Sequence, residues 1–262
     1  MRALLTTPAN AMIALDFDGT LAPIVDRPQD ARALPEAVPT LARIAKHVCV
    51  VAIVTGRPAI RAIELGGFRG AAGLESMVIV GQYGRERWDA ATDTMTDRPV
   101  PPDVEVVRKE LPALLADAPD GVSIEDKGAA LVVHTRRTAD PAATLATLEP
   151  RLTALADKYG LIIERARLAL ELRPPGFDKG RALRQLVQEY AARVVVFVGD
   201  DLGDLPAYDT VEALRGEGVA GLTVASASAE EPALTERADI VVDGPHGVID
   251  FLDELARALA TR

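Results

Sequence analysis

Three apolar runs in this sequence end in side chains of the kinds that handle phosphoryl groups. Met12–Leu15 stops at Asp16, and Phe17-Asp18-Gly19-Thr20 follows. Val48–Val54 stops at Thr55, and Arg193–Val198 stops at Gly199-Asp200-Asp201-Leu202-Gly203-Asp204. As parallel strands, all three place their carboxyl ends on one sheet edge, where α/β folds bind ligands. Lys179 opens the helix before the third run, which brings an ammonium to the same edge. Carboxylates, one hydroxyl and one ammonium, without a His or Cys partner, form an oxygen donor set suited to a hard cation, Mg2+ above all.

The chemistry follows from charge. A phosphate monoester dianion repels a carboxylate nucleophile, so attack by Asp16 needs Mg2+ and Lys179 on the non-bridging oxygens. Asp18, two residues on, can protonate the leaving alkoxide and then deprotonate water, giving two-step catalysis through an aspartyl phosphate. Thr55 and the backbone amides of the Gly19-Thr20 turn would hold the transferring oxygens. Each piece has a plainer reading. Asp-x-Asp-Gly is ordinary turn chemistry after a strand, Thr55-Gly-Arg-Pro is also strand-to-helix punctuation, and Lys179 alone is a surface lysine. Two acidic strand ends in one chain outweigh these readings.

The elements that must position these groups alternate as in a parallel α/β sheet. Pro35 stands near the start of a predicted helix over Glu36–His47; a second helix spans Pro58–Leu65, a strand Met77–Val80, and a hairpin Gln82–Trp88 with Thr94–Thr96. Pro99, Pro101 and Pro102 then mark a boundary. From Asp103 the rhythm changes: a helix over Val104–Leu115 interrupted near Pro112, strands Gly121–Asp126 and Ala129–Thr135, a helical stretch Pro141–Tyr159 that Pro150 kinks or divides, and strands Leu161–Glu164 and Leu168–Leu172 around Arg165-Ala166-Arg167. That is an α+β module. Pro174-Pro175-Gly176 closes it, and the alternating pattern resumes from Lys179 to a last helix near Ala260. The expected division is therefore a core domain, 1–102 with 174–262, and an inserted domain, 103–173. Ala225–Ala229 reads as a small-residue loop.

With 262 residues, 48% hydrophobic and 26% charged, the chain can bury a sizeable core and has the balance of a soluble globular protein. A net charge of −10 argues against nucleic acid or an anionic membrane as partner. The single cysteine excludes a disulfide framework and a Cys-cluster metal site, and Cys49, inside an apolar run, reads as an inert core residue. Thr6, Thr7, Pro8 and Asn10 interrupt any leader-like apolar start, so a cytoplasmic location is the default expectation. In the inserted module a solvated face accounts for Glu125, Lys127, His134 and Arg136 as well as a ligand site does. Arg165, Arg167 and Arg173 read as surface, His47 and His246 as structural, and Trp88 as packing.

Asp16-Phe-Asp-Gly-Thr20, Val54-Thr-Gly-Arg57, Asp178-Lys-Gly180 and Gly199-Asp-Asp-x-x-Asp204 resemble, in order, the four motifs of the haloacid dehalogenase superfamily. The resemblance covers the whole chain and implies a Rossmann-like parallel-sheet core with an inserted α+β cap. Val80-Gly-Gln-Tyr-Gly84, Glu125-Asp-Lys-Gly128 with His134-x-Arg136, and Glu171-Leu-Arg-Pro-Pro-Gly-x-Asp-Lys-Gly180 are similar to signatures of the trehalose 6-phosphate phosphatase family. This resemblance implies hydrolysis of trehalose 6-phosphate. It also implies metal ligation by Asp16, Asp200 and the Asp18 carbonyl with Asp204 in support, and a grip on the sugar hydroxyls by Lys127, Arg136 and Glu171. It extends the substrate-contacting set to Gly56, Arg57, Gln82, Tyr83 and His134, and suggests functional coupling to a trehalose-phosphate synthase. The chain departs from the family pattern at Gly203 and Leu205, where Thr and Glu are usual.

Three alternatives remain open to the sequence. Another sugar phosphate, such as sucrose phosphate or mannosylglycerate phosphate, would use the same core. A phosphoacceptor signalling module also uses an aspartate, Mg2+ and a lysine on a doubly wound sheet, but a single domain of about 100–150 residues would suffice for it. A catalytically silent sugar-binding protein would have no need of both Asp16 and Asp18.

Overall fold

The structure is a computed structural model that describes residues 2–25, 27–166, 168–227 and 232–261. Arg167 and residues 228–229 of the expected small-residue loop lie outside the described residues. The strands are β1 (Ala11–Leu15), β2 (Val50–Val54), β3 (Val78–Gly81), β4 (Glu86–Asp89), β5 (Thr94–Asp97), β6 (Ser123–Asp126), β7 (Leu131–His134), β8 (Ile162–Ala166), β9 (Ala169–Arg173), β10 (Val194–Gly199), β11 (Ala220–Ala227) and β12 (Ile240–Asp243). The helices are α1 (Arg2–Thr6), α2 (Ala37–Ala45), α3 (Ala59–Gly66), α4 (Pro102–Leu114), α5 (Pro141–Lys158), α6 (Lys179–Glu189), α7 (Leu205–Gly216), α8 (Pro232–Thr235) and α9 (Gly244–Ala260).

Two compact units result, Met1–Asp97 with Asp178–Arg262, and Arg98–Phe177. Their joints differ from positions 102/103 and 173/174 for local reasons. Pro102 occupies the first turn of α4, where its missing N–H costs nothing, and so belongs to the second unit. Arg173 is the last residue of β9, and its guanidinium donates to the Phe177 carbonyl, which keeps Pro174–Phe177 with the second unit as well.

The first unit is built on an eight-stranded sheet, ordered β12-β11-β10-β1-β2-β3-β4-β5. Neighbours from β12 to β3 are parallel, and β4 and β5 add an antiparallel edge hairpin. Strands β1, β2 and β10 are buried along their whole length. Alternate residues feed two cores: Ile13, Ile53 and Val196 meet apolar residues of α2, α3 and α9, while Met12, Ala52 and Phe197 meet those of α6 and α7. Burial on both faces explains why these strands carry no polar residue until their ends. The chain winds β1-β2-β3 in one direction and β10-β11-β12 in the other. The reversal lies between β1 and β10, a topological switch point.

The second unit is a four-stranded antiparallel sheet, β6-β7-β9-β8, with α4 and α5 packed on one face. Val107, Leu111, Leu152 and Leu155 of the helices meet Leu131, Val133, Leu170 and Leu172 of the strands. The opposite face carries the polar alternates: Glu125 faces Val132, Val132 faces Glu171, and Glu171 faces Glu164 across the strands.

Five local expectations are corrected. Pro150 does not divide its helix, because α5 is one element from Pro141 to Lys158. Proline forfeits one backbone bond and strains the preceding turn, by roughly 3 kcal/mol, and burial of Leu148, Leu152 and Leu155 offsets it. Pro112 likewise sits inside α4, which continues to Leu114. Gln82–Gly84 is a 3-10 turn rather than strand, since Gln82 and Tyr83 adopt φ of 46° and 58°. Residues 225–227 belong to β11, whose pairing with β10 runs to Ala225 against Gly199. Cys49 lies just before β2 and is only partly buried; its thiol donates to the Ala11 carbonyl. No helix among the described residues is long and apolar enough to cross a membrane.

Candidate active site

Asp16 follows directly on β1, and its N–H donates to the Val198 carbonyl at 2.9 Å, which fixes it between β1 and β10. The turn after it closes by bonds from Gly19 N–H to Ala22 O (2.8 Å) and from Leu21 and Ala22 N–H to Phe17 O (both 2.9 Å). Gly19 adopts φ +66°, in the left-handed region that favours glycine. It also leaves no room for a side chain: an ideal Cβ there would stand 2.8 Å from Asp200 Oδ1, and nearer still to the rest of that carboxylate.

Lys179 begins α6, whose N-cap Asp178 accepts from the Arg181 N–H at 2.7 Å. The Lys179 ammonium is buried and bridges two buried carboxylates, Asp204 Oδ1 at 2.8 Å and Asp16 Oδ1 at 3.0 Å. Asp204 Oδ2 accepts the backbone N–H of Asp200 at 3.0 Å and of Asp201 at 3.3 Å, so both of its oxygens are engaged in building the loop. Asp201 caps the 3-10 turn 202–204 through the Gly203 N–H. Asp200 is different. Its Oδ1 is buried and has no hydrogen-bond partner among the described residues.

Asp16, Asp200 and Asp204 each offer a carboxylate oxygen within 4.8 Å of the others, and all three are buried. Burial raises the Asp16 carboxyl well above its ordinary range; Lys179 pulls the other way, and the neighbouring acids add to the rise. Asp200 is raised for the same first reason, burial, with Asp201 and Asp16 contributing. Burial would lower Lys179, but Asp16 and Asp204 overcome it and hold the ammonium above its usual value. Three buried acids against one ammonium leave negative charge that a dry site does not tolerate uncompensated. That excess, with the orphaned Asp200 oxygen and an all-oxygen donor set, fits a hard divalent cation.

Thr55 ends β2, is buried, and accepts the Arg57 N–H at 3.1 Å. Its carbonyl accepts the Tyr83 N–H at 3.1 Å, and the Arg57 carbonyl accepts the Gln82 N–H at 2.9 Å. The left-handed Gln82-Tyr83 pair therefore serves to brace the Thr55–Arg57 loop. Gly56 packs under the Tyr83 ring, where a Cβ would come within 2.6 Å of the phenol oxygen. Glu86, which sequence reasoning passed over, accepts the Ala59 N–H at 2.6 Å at the start of α3 and also the Gln82 side-chain amide. Arg57 clasps Asp18 with a two-pronged ion pair, Nε to Oδ2 at 2.6 Å and Nη2 to Oδ1 at 2.5 Å, and lies over the Phe17 ring. Thr20 is fully buried, with an Oγ1 that has no partner among the described residues. Ser226, also unforeseen, donates to the Gly19 carbonyl at 2.6 Å.

Within the second unit the sheet face opposite α4 and α5 gathers most of the other expected residues. Lys127 Nζ pairs with buried Glu171 at 2.7 Å, and His134 Nε2 with Glu125 at 2.8 Å. Arg136 follows β7 and is half-buried. Arg173, read from sequence as surface, is buried and pairs with Glu164. Trp88 is buried packing, with its indole N–H on Asp93 at 2.8 Å.

The parallel core with acids, threonine and lysine at its strand ends is the fold of the haloacid dehalogenase-like hydrolases. A hydrolase of that class from Bacteroides thetaiotaomicron superimposes with a TM-score of 0.64, covering 94% of this chain and 99% of its own at 19% identity. Within that class the chain belongs to the trehalose-phosphatase family, whose model matches residues 14–240. A trehalose-phosphate phosphatase from Mycobacterium leprae is 30% identical over 269 residues, 97% of this chain. The chain spans 59% of the length of that relative. The C-terminal domain of the Candida albicans trehalose-6-phosphate phosphatase shares the fold with a TM-score of 0.81 at 20% identity, covering 98% of this chain and 96% of that one.

Proposed function

We propose that this chain is a Mg2+-dependent phosphatase that hydrolyses trehalose 6-phosphate, with Asp16 as nucleophile. The observation that carries the reading is the buried set of Asp16, Asp200 and Asp204 beside the Lys179 ammonium, which pairs with Asp16 and Asp204. Asp16, Asp200 and the Asp18 carbonyl would hold Mg2+, which when bound offsets the repulsion between the carboxylates and a phosphate dianion. Asp204 stays behind, keeping Lys179 and the loop amides in place.

Asp16 attacks phosphorus; a new bond forms from its carboxylate oxygen as the bond to the sugar oxygen breaks. Asp18 gives its proton to that leaving oxygen, and then takes one from the water that attacks the phosphoaspartate, which frees Asp16 and inorganic phosphate. Arg57 occupies both oxygens of Asp18 and has to release one before Asp18 can carry a proton. Lys179, Thr55 and the turn amides hold the transferring oxygens. In the second unit, taken as a cap, the polar face bearing Lys127, His134, Arg136 and Glu171 reads the sugar hydroxyls.

The test is phosphate release from trehalose 6-phosphate beside sucrose 6-phosphate, glucose 6-phosphate and mannosylglycerate phosphate, with Mg2+ and with EDTA. A kcat/KM for trehalose 6-phosphate at least about tenfold above the others, abolished by EDTA, is expected. A value no better than for a generic sugar phosphate refutes the substrate, and turnover indifferent to EDTA refutes the metal.

A further inference from the structure

We propose that Glu86, the first residue of β4, is a positioning residue that holds Arg57 in the place from which it grips Asp18. The inference rests on the phosphatase reading above and goes beyond its motifs, none of which contains Glu86.

Asp18 lies in the turn after β1, and Arg57 in the loop after β2, its parallel neighbour. The Arg57 guanidinium meets both oxygens of Asp18, so a shift of the loop moves the carboxylate that handles the proton. The loop is held from outside. The Arg57 carbonyl accepts the Gln82 N–H at 2.9 Å, and the Thr55 carbonyl accepts the Tyr83 N–H at 3.1 Å. Those two donors stand in the left-handed region, at φ 46° and 58°, where residues with a Cβ are uncommon and strained. A turn of that kind persists only where its surroundings fix it.

Glu86 supplies the fixing. Its Oε1 accepts the Gln82 side-chain amide, and its Oε2 accepts the Ala59 N–H at 2.6 Å. Arg57 is thereby bracketed: Ala59, two residues after it, and Gln82, which bonds its carbonyl, end on one carboxylate. The fit there is close, since a Cβ on Gly81 would stand 2.4 Å from the Ala59 nitrogen. Negative charge at the start of α3 is by itself ordinary helix chemistry. The bond to Gln82 is what such a charge alone leaves unexplained. Two donors converging on one side chain call for two acceptor oxygens, which a carboxylate has and an amide has not. Glu86 acts through Arg57 and not on the reacting atoms.

Two measurements test this on the full chain. The first is kcat and KM for the best phosphate ester; the second is amide hydrogen exchange of segment 55–59 without metal or substrate. Displacing a catalytic group by about an ångström costs about 100-fold in rate. Glu86→Gln, which keeps the shape but turns an NH2 toward one of the donors, is expected to lower kcat by about 10- to 100-fold with KM changed less than about threefold. It should also speed exchange of segment 55–59 by about tenfold. In an Arg57→Ala background the same substitution should cost less than about threefold in kcat, because the residue it positions is gone. Glu86→Asp keeps the charge near α3 but is too short to span Ala59 and Gln82, so it should be slowed by at least about fivefold; it carries the test if Glu86→Gln does not fold. A Glu86→Gln or Glu86→Asp kcat within threefold of wild type overturns the proposal, and so does an equal loss with and without Arg57. If the wild-type chain turns over no phosphate ester, the phosphatase reading fails. Unchanged exchange of segment 55–59 in Glu86→Gln overturns the clamp in either case.

Discussion

Gly19→Ala tests whether the turn and the Asp200 carboxylate are fitted to one another. The new methyl would meet the Asp200 carboxylate at every one of its heavy atoms, the farthest oxygen at 2.8 Å. Ordinary contact needs about 3.5 Å or more, and the other oxygen lies nearer still, so either the carboxylate or the turn moves by more than about an ångström. A displacement of that size at a catalytic group costs about 100-fold in rate. The φ of +66° adds a backbone penalty of about 1–2 kcal/mol for a residue with a Cβ. Since about 1 kcal/mol moves Tm by 2–4 °C in a domain of this size, the backbone term alone lowers Tm by about 2–8 °C. Urea denaturation of Gly19→Ala in the wild-type and Asp200→Ala backgrounds separates the terms. With the carboxylate gone only the backbone cost remains, so the substitution should destabilise the Asp200→Ala protein less. Equal cost in both backgrounds, or a Gly19→Ala enzyme retaining more than a third of wild-type kcat/KM, would refute the fit.

Lys179→Met leaves Asp16 and Asp204 buried without their shared cation, and breaking a buried pair in this way costs about 3–5 kcal/mol; urea denaturation at pH 7 should reveal it, with a smaller deficit at pH 5. Metal binding should be pH-linked. Asp16 and Asp200 have folded pKa values above their unfolded ones, so their stabilising contribution is full below about pH 4 and is lost as pH rises through the folded values. Asp93, lowered by its bonds to Trp88 and Arg69, and Asp253, lowered by Arg43 and Arg257, act with the opposite sign but are remote from the site. In the proposed site Mg2+ would bind the ionised carboxylates, so the Tm gain on adding it, worth about 2.7 kcal/mol at a hundredfold excess over Kd, should be larger at pH 8 than at pH 5; a gain that is equal or larger at pH 5 contradicts the site.

The core was legible because burial on both faces removes polar residues from β1, β2 and β10, so that Asp16, Thr55 and Asp200 stand out where each run stops. What could not be read was carried by tertiary contacts without a local pattern. Pro112 and Pro150 read as breaks because propensity is local, while the burial that holds α4 and α5 together is not. The left-handed Gln82-Tyr83 pair is set by what it braces, the Thr55–Arg57 loop, and two bulky residues give no turn signal in sequence. Arg57 reads in the sequence as strand-to-helix punctuation and, by resemblance, as a substrate contact, whereas its clasp on Asp18 needs β1 and β2 to be side by side. Ser226 lay in a stretch of alanines and serines whose composition suggested only a loop.

The Lys179 bridge also has a consequence for the order in which the molecule can be assembled. Asp16 belongs to the first strand made, but its counter-charge and the β10 edge that covers β1 are encoded only after the whole second unit. A nascent chain that stops at Asp97 carries a central strand with one open side and an acid awaiting its cation. Strand edges of that kind invite mispairing in a growing chain. Among the described residues, the sheet and hydrophobic cluster of the second unit are made of its own strands β6 to β9 and helices α4 and α5, so it can form while β1 waits. The inserted domain thus sets a delay in synthesis, and the Asp16 carboxylate meets its counter-charge only once that domain has been made.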